Sequence, residues 1–273
     1  INGEPWSKVA KPLAAELSFS TQWAHTLYVC NRILAGPSGG LIRIGINRGG
    51  KRKVIELLRV MSVASDGRIH ERMAPPARML TGNVGYLDLD SLTPAGVSNA
   101  LAVVGNAEKW IIDARGQGNM VAWELAPLLA TKRTVAGVCV TRVDIADVGA
   151  LPETQQRRRE LVIEPAKGAR RRKVVVLVDE RTQSQSEVSA IFFKAIGALI
   201  VGSRTAGTVG DVTDIQAHPE VRISFSGQDV LTRRGVSLHG RGLDIDVQVR
   251  DTPAAVRSGR DLPLEAALRL LKG

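Results

Sequence analysis

Aromatic side chains are scarce in this chain: two Tyr, four Phe and four Trp in 273 residues, 4% in all. Any core must therefore be built mainly from Val, Leu, Ile and Ala. A surface that stacks nucleic-acid bases on interleaved rings has too few rings to form. Cysteine is as rare, with Cys30 and Cys139 in apolar stretches that hold no second metal-ligand motif. Two buried free thiols are expected, rather than a disulfide or a metal site. No apolar run approaches the ~20 residues that a bilayer span requires. A leader-like segment is lacking too, and a chain that opens on Ile1 reads as cut from something longer.

Positive charge is abundant, with a formal net charge of +10. Much of the excess lies in two runs, residues 157–159 and 170–173, in a stretch that also holds Pro152, Pro165 and Gly168. Neither run carries aromatics or lies along a recognition helix. Both read as solvated loop, and nucleic acid is not expected as a partner. With 44% hydrophobic residues, the length suits one large domain or two smaller ones with a substantial core.

The first sixty residues form a coherent pattern. Ile1-Asn2-Gly3 reads as a strand end and turn. Residues 21–34 have helical spacing, with Trp23, Leu27, Cys30 and Leu34 on one face and Ser20 or Thr21 as cap. Gly36-Pro37-Ser38-Gly39 stops that helix, and residues 41–46 and 53–57 make a hairpin about Arg48-Gly49-Gly50. Residues 60–81, with Pro75-Pro76, read as connector. From Gly82 strands alternate with helices, which argues for parallel β-α-β construction. Strands are expected at 84–89, 109–113, 134–140, 174–178 and 198–201, and helices at 94–104, 123–129, 187–196 and 262–271. Residues 221–225 and 230–232 read as a late hairpin. The all-apolar run Val174–Val178 suits a strand covered on both faces.

Val178-Asp179-Glu180-Arg181-Thr182-Gln183-Ser184-Gln185-Ser186-Glu187 carries that strand straight into a helix. A hydroxyl delivered at a helix N-terminus suits acyl transfer, because unpaired N–H groups and partial positive charge lie where an oxyanion would form. On these residues alone, a simple cap by Ser184 or Ser186, with Glu187 in the first turn, is the better reading.

The wider order reverses that preference. Gly82-Asn-Val-Gly-Tyr-Leu, Asp113-Ala-Arg115-Gly116-Gln-Gly118, Ser184-Gln-Ser-Glu, Val201-Gly202-Ser-Arg-Thr205-Ala-Gly207 and Leu238-His239-Gly240-Arg-Gly242 follow one another. Together they resemble the "G-x-V-G-Y-I", "D-x-R-x-N-x-G-G", "S-x-S-E", "V-G-x-x-T-x-G" and "h-x-G-x-G-I-x-P-D" blocks of the C-terminal-processing (tail-specific, tricorn-like) serine peptidases. The stretch Arg257-Ser-Gly259-Arg260-Asp261 is similar to that family's ending. The resemblance spans residues 82–273 and, in part, 1–59, whose helix-and-hairpin order resembles the second half of a PDZ module. An unrelated αβ segment is the alternative for residues 1–59.

The resemblance implies an α/β core of the crotonase-like (ClpP/crotonase) type with a mainly parallel sheet. It also implies hydrolysis of unfolded or tail segments of polypeptides through a Ser184 acyl-enzyme, without metal or organic cofactor, in an exported protein. The Gln185 N–H would be one oxyanion donor, and the loop with Gly116 and Gly118 would supply the other. Asp113 and Arg115 would brace that loop. Three departures stand out. Where Ser-Lys members carry Lys after "T-x-G" this chain has Thr208, and Asn119-Met120 replaces a double glycine. Tricorn-like members use a His ahead of the PDZ module, which would fall upstream of Ile1, and a late Glu whose place His239 takes. His239 is thus a candidate base or orienting group, its unperturbed pKa of ~6.5 suiting proton transfer; a His satisfied by nearby backbone is the alternative. His25 and His70 read as incidental and His218, beside Pro219 in a turn, as a surface residue; Lys173 and Lys194 are candidate bases only in principle, since neither matches a family position. The rival to a peptidase is a peptide-binding relic of the same fold that has lost its base.

Overall fold

In the computed structural model, which describes residues 1–59, 74–142 and 156–272, the chain divides into two units, Ile1–Glu71 and Arg72–Gly273. The first unit opens with helix α1 (Trp6–Glu16), which the sequence reading did not contain. Helix α2 (Gln22–Leu34) is capped by Thr21, whose side chain accepts the Ala24 N–H. Its buried face is Ala24, Val29 and Ile33, not the expected Trp23, Leu27, Cys30 and Leu34; Leu34 is exposed. The reason is α1: its Val9 and Leu13, with Leu17 just after it, pack on the cluster of Val29 and Ile33 and so decide which stripe of α2 is covered. His25 Nε2, read as incidental, lies 3.0 Å from the Ala14 carbonyl of α1. Strands β1 (Leu41–Arg48) and β2 (Lys51–Leu58) form the expected hairpin around Gly49 and Gly50. Asn2 runs beside β1, its N–H donating to Arg43 O and its Oδ1 accepting the Arg43 N–H.

The second unit begins with strand β3 (Ala77–Leu80), inside the stretch expected to be connector. The rest of that expectation, residues 60–73 with His70, lies outside the described residues. Strand β4 (Val84–Asp88) pairs antiparallel with β3. Helix α3 (Val97–Val104) then leads to β5 (Lys109–Asp113), and short α4 (Ala122–Leu125) to β6 (Thr134–Arg142). Strand β7 (Gln156–Ile163) pairs with β6. Strand β8 (Lys173–Val178) feeds α5 (Gln185–Ala195), followed by β9 (Leu199–Gly202). Strands β10 (Val212–His218), β11 (Val221–Ser226), β12 (Gln228–Thr232) and β13 (Val247–Gln248) come next. Helices α6 (Pro253–Arg257) and α7 (Leu262–Lys272) complete the unit.

The main sheet has six strands in the order β13-β9-β8-β5-β4-β3, all parallel except β3. The fold is thus a mixed α/β arrangement with a mainly parallel sheet. Strand β8 lies inside it, and its apolar run has a simple cause. Val174, Val176 and Val178 face a core with Phe192 and Phe193 of α5, while Val175 and Leu177 face one with Ala266, Ala267 and Leu271 of α7. With both faces covered, none of the five positions Val174–Val178 can be polar.

Two expectations are corrected. Residues 157–159 are not loop but part of β7, an edge strand of the three-stranded sheet β12-β6-β7. Exposed arginines on an edge discourage pairing with another chain, so a charge run and a strand are compatible there. Residues 221–225 and 230–232 do not pair with each other: β11 pairs with β10, and β12 fills the free edge of β6.

Candidate active site

The chain leaves β8 at Val178 and reaches α5 through a turn held by Thr182. The Thr182 hydroxyl donates to Ala114 O at 2.9 Å and accepts the Asp179 N–H at 3.0 Å. At the end of that turn Ser184 has φ +49° and ψ −114°. An ordinary capping serine is extended and bonds its hydroxyl to the second or third N–H of the helix. Ser184 does neither, because its side chain makes no cap bond. Such a backbone in a non-glycine residue costs about 1–3 kcal/mol and survives only where the surroundings impose it. Here the Ser184 N–H donates to Thr208 O at 2.7 Å, and the Gln183 N–H to Gly116 O at 3.3 Å. The cap explanation of this serine fails, and a hydroxyl presented on a strained turn at a helix N-terminus remains.

Gly116 and Gly118 lie against the turn. Gly116 has φ +145° and Gly118 +65°, and a Cβ on Gly118 would fall 2.5 Å from Ser186 Oγ. The N–H groups of Gly116 and Gln185 meet no acceptor among the described residues. Gly118 is different, since its N–H donates to Asp90 Oδ1 at 3.2 Å, as that of Gln117 does at 3.0 Å. Of the three donors named from sequence, Gln185 and Gly116 are therefore open, and Gly118 is engaged by Asp90. Asn119, which departs from the family's double glycine, ties its side-chain amide to Leu92 O at 2.9 Å.

The loop is braced as expected by Asp113 and Arg115. Arg115 donates to Asp113 through Nε and Nη2 and to Asp261 through Nη1 and Nη2, while the Tyr86 hydroxyl donates to Asp113 Oδ2 at 2.6 Å. Burial works against the guanidinium's charge, but the two carboxylates win and raise its pKa well above the ordinary value.

Glu187, read from sequence only as a first-turn acid, is a hub. It is fully buried, and Oε1 accepts the Thr205 hydroxyl at 2.6 Å and the Gly207 N–H at 2.9 Å, while Oε2 accepts the Thr208 N–H at 2.9 Å. Burial pushes its pKa up to about 7 against the pull of those donors. Thr205 in turn accepts the Leu243 N–H at 2.9 Å. The segment clamped in this way, residues 205–208, holds Ser184 through Thr208 O and the His239 turn through Gly207 O, which accepts the Gly240 N–H at 2.9 Å. Backbone bonding thus sets Ser184, Gly207-Thr208 and Gly240 side by side. The His239 side chain is exposed, and the residue's backbone N–H donates to Ser237 Oγ at 3.2 Å. The two lysines that are candidate bases only in principle lie apart from this cluster: Lys194 Nζ pairs with Asp246 at 3.0 Å, and Lys173 opens β8 at the far end of the strand; His218, read as a surface residue, is exposed at the end of β10.

Among the described residues, three of the four buried side-chain polar atoms without a hydrogen-bond partner belong to Ser184's neighbours in the chain or to Thr208, which accepts its N–H: Gln185 Nε2, Ser186 Oγ and Thr208 Oγ1. Orphaned polar groups are costly and cluster where a ligand or water completes them. Among the described residues, no three His, Cys, Asp or Glu side chains gather as a metal ion would need, and no helix is long and apolar enough to cross a membrane. Cys30 and Cys139 are both free, Cys139 buried and Cys30 half-buried.

Comparison with known proteins places the chain in a family and a fold. Residues 83–249 match the model of peptidase family S41. Mature CPAF bound to lactacystin superposes with a TM-score of 0.65 at 15% identity, over 98% of this chain and 75% of that one. A candidate peptidase from Parabacteroides merdae ATCC 43184 gives 0.60 at 17%, over 100% and 90%. The photosystem II D1 C-terminal processing protease gives 0.51 at 18%, over 79% of this chain and 57% of that one. At these identities the structural likeness speaks for the fold. No curated protein is similar enough in sequence to match.

Proposed function

We propose, from the premise that this chain belongs to peptidase family S41, that it is a serine peptidase with a crotonase-like core and that Ser184 is its nucleophile. The observation that carries this reading is the Ser184 backbone, held at φ +49° with no capping bond to account for it. Ser184 Oγ attacks the scissile carbonyl carbon, and the carbonyl oxygen becomes an oxyanion facing the open N–H groups of Gln185 and Gly116. The N-terminal end of α5 adds its partial positive charge there. Collapse expels the amine and leaves an acyl-Ser184 ester, which water then hydrolyses. His239 precedes Gly240, whose backbone bond to Gly207 ties its turn to the segment that holds Ser184; it accepts the serine proton or orients the group that does. The substrate is an unfolded or C-terminal polypeptide segment, which the PDZ-like first unit helps to hold, and the chemistry needs no cofactor.

A second reading, a peptide-binding relic, is favoured by Thr208 standing where a lysine base is expected and by Asp90 engaging the Gly118 N–H. A fluorophosphonate probe separates the two. The peptidase reading expects stoichiometric labelling that Ser184→Ala abolishes, cleavage of an unfolded protein, and a loss of roughly 10²–10⁴ in rate for His239→Ala if that imidazole is the base. No labelling of the wild type, with unfolded peptide still bound, would leave the relic.

A further inference from the structure

At the opposite ends of the strands that lead to Ser184, five cations crowd one cavity. Lys109 opens β5 and Lys173 opens β8, and the two pair directly in register. Neighbouring strands are about 4.8 Å apart, and residues in register point the same way, so two ammonium groups stand side by side. The loop before β8 adds Arg170, Arg171 and Arg172. Together with Glu108 these residues line a cavity of about 600 Å³. Among the described residues no ion pair reaches any of the five cations.

Two of them have a structural task. Arg170 Nη2 donates to Gly105 O at 2.6 Å, and Arg172 donates to Gly105 O and to Ala107 O, so both guanidiniums hold carbonyls just beyond α3. A helix C-terminus favours positive charge, which explains one or two cations there. It does not explain Lys109, Arg171 and Lys173, which have no such partner. It also leaves two guanidiniums converging on a single carbonyl oxygen. Burial, and secondarily the charge of Arg170, lowers the Arg172 pKa.

We propose that this cavity binds a small soluble ligand bearing a phosphate group with at least two negative charges. Arginine forks match phosphate oxygens in pairs, and lysines supply the remaining charge. A nucleic acid fits less well. No aromatic residue is among those that line the cavity, and Trp110, under the Arg172 guanidinium at 4.5 Å, is fully buried, so no ring face is open to a base. The site stands apart from Ser184 and does not depend on the peptidase reading.

Calorimetric titration of the whole chain with inorganic pyrophosphate, at about 50 mM salt, is the test. One saturable site is expected, weakened by added salt, and weakened at least about tenfold in Arg171→Glu/Lys173→Glu, both at exposed positions. The milder Lys109→Ala/Arg171→Ala covers the case in which the reversal unfolds. The control Arg157→Glu/Arg158→Glu changes net charge equally on β7 and should leave binding unaltered. No saturable binding at millimolar pyrophosphate, or equal loss in the β7 control, overturns the proposal. So does saturable binding of a single-stranded oligonucleotide with none of pyrophosphate.

Discussion

Glu187 is the residue on which the site's geometry converges. A carboxylate with three donors and no cation is stable only because the donors offset its lost hydration, and they do so incompletely: its pKa rises to about 7 from 4.5. The native state therefore holds a proton that the unfolded chain releases between those values. The stability this group contributes is full below about pH 4.5 and is lost as pH rises through about 7. Glu187→Gln keeps the shape but sets an amide N–H₂ against the N–H of Gly207 or Thr208 and cannot ionise. The wild type's stability advantage over Glu187→Gln should shrink by up to about 3 kcal/mol from pH 4.5 to pH 8 in denaturant titrations; an advantage that grows with pH would contradict the hub. Sequence could name Ser184, Gln185, Gly116 and His239 because each sits in a short block. It could not show Glu187 bonding residues 205–208, or Asp90 taking the Gly118 N–H, since both contacts join segments whose approach only the folded chain defines.

The element that matters most is the junction of β8 and α5, and there the sequence was informative. An all-apolar strand, a polar turn and a serine before a helix are local features, and the structure places them as read. What local pattern could not supply was the partner of each strand: β12 looks like the second arm of a hairpin but pairs with β6, and the arginines of β7 conceal an edge strand. The Ser184 strain offers a test at this scale. If the hydroxyl were a cap, Ser184→Ala would cost about 1 kcal/mol. With no cap bond, Ser184→Ala should change stability by less than about 0.5 kcal/mol. Ser184→Gly, free to adopt positive φ, should raise stability by roughly 1 kcal/mol, while both variants lose probe labelling. Thermal unfolding at one pH decides this, and a Ser184→Gly variant less stable than Ser184→Ala would remove the strain argument.

For the whole second unit, the clamp at Arg115 joins parts of the chain far apart in sequence: Asp113 at the end of β5 and Asp261 before α7. Helix α7 covers one face of the sheet, and the loop after Asp113 supplies Gly116 beside Ser184. One guanidinium therefore couples closure of the core to the shape of the site. Asp113 is fully buried, Arg115 is 8% exposed and Asp261 is 33% exposed in side-chain terms. Removing the cation strands a buried carboxylate, a loss of about 3–5 kcal/mol. In a unit of this size that corresponds to a melting temperature lower by roughly 10 °C. Asp261→Asn leaves the Asp113 pair intact and acts at a partly solvated position, where water screens the charge, so it should cost distinctly less. Arg115→Lys keeps one charge but cannot reach both carboxylates in pairs and should fall between them. The functional consequence separates this clamp from mere stability. At a temperature where Asp261→Asn is fully folded, its Ser184 should react more slowly with the fluorophosphonate probe, because the loop carrying Gly116 has lost one anchor. Equal melting of Arg115→Ala and wild type would refute the clamp, and unchanged probe kinetics in Asp261→Asn would confine it to holding α7 in place.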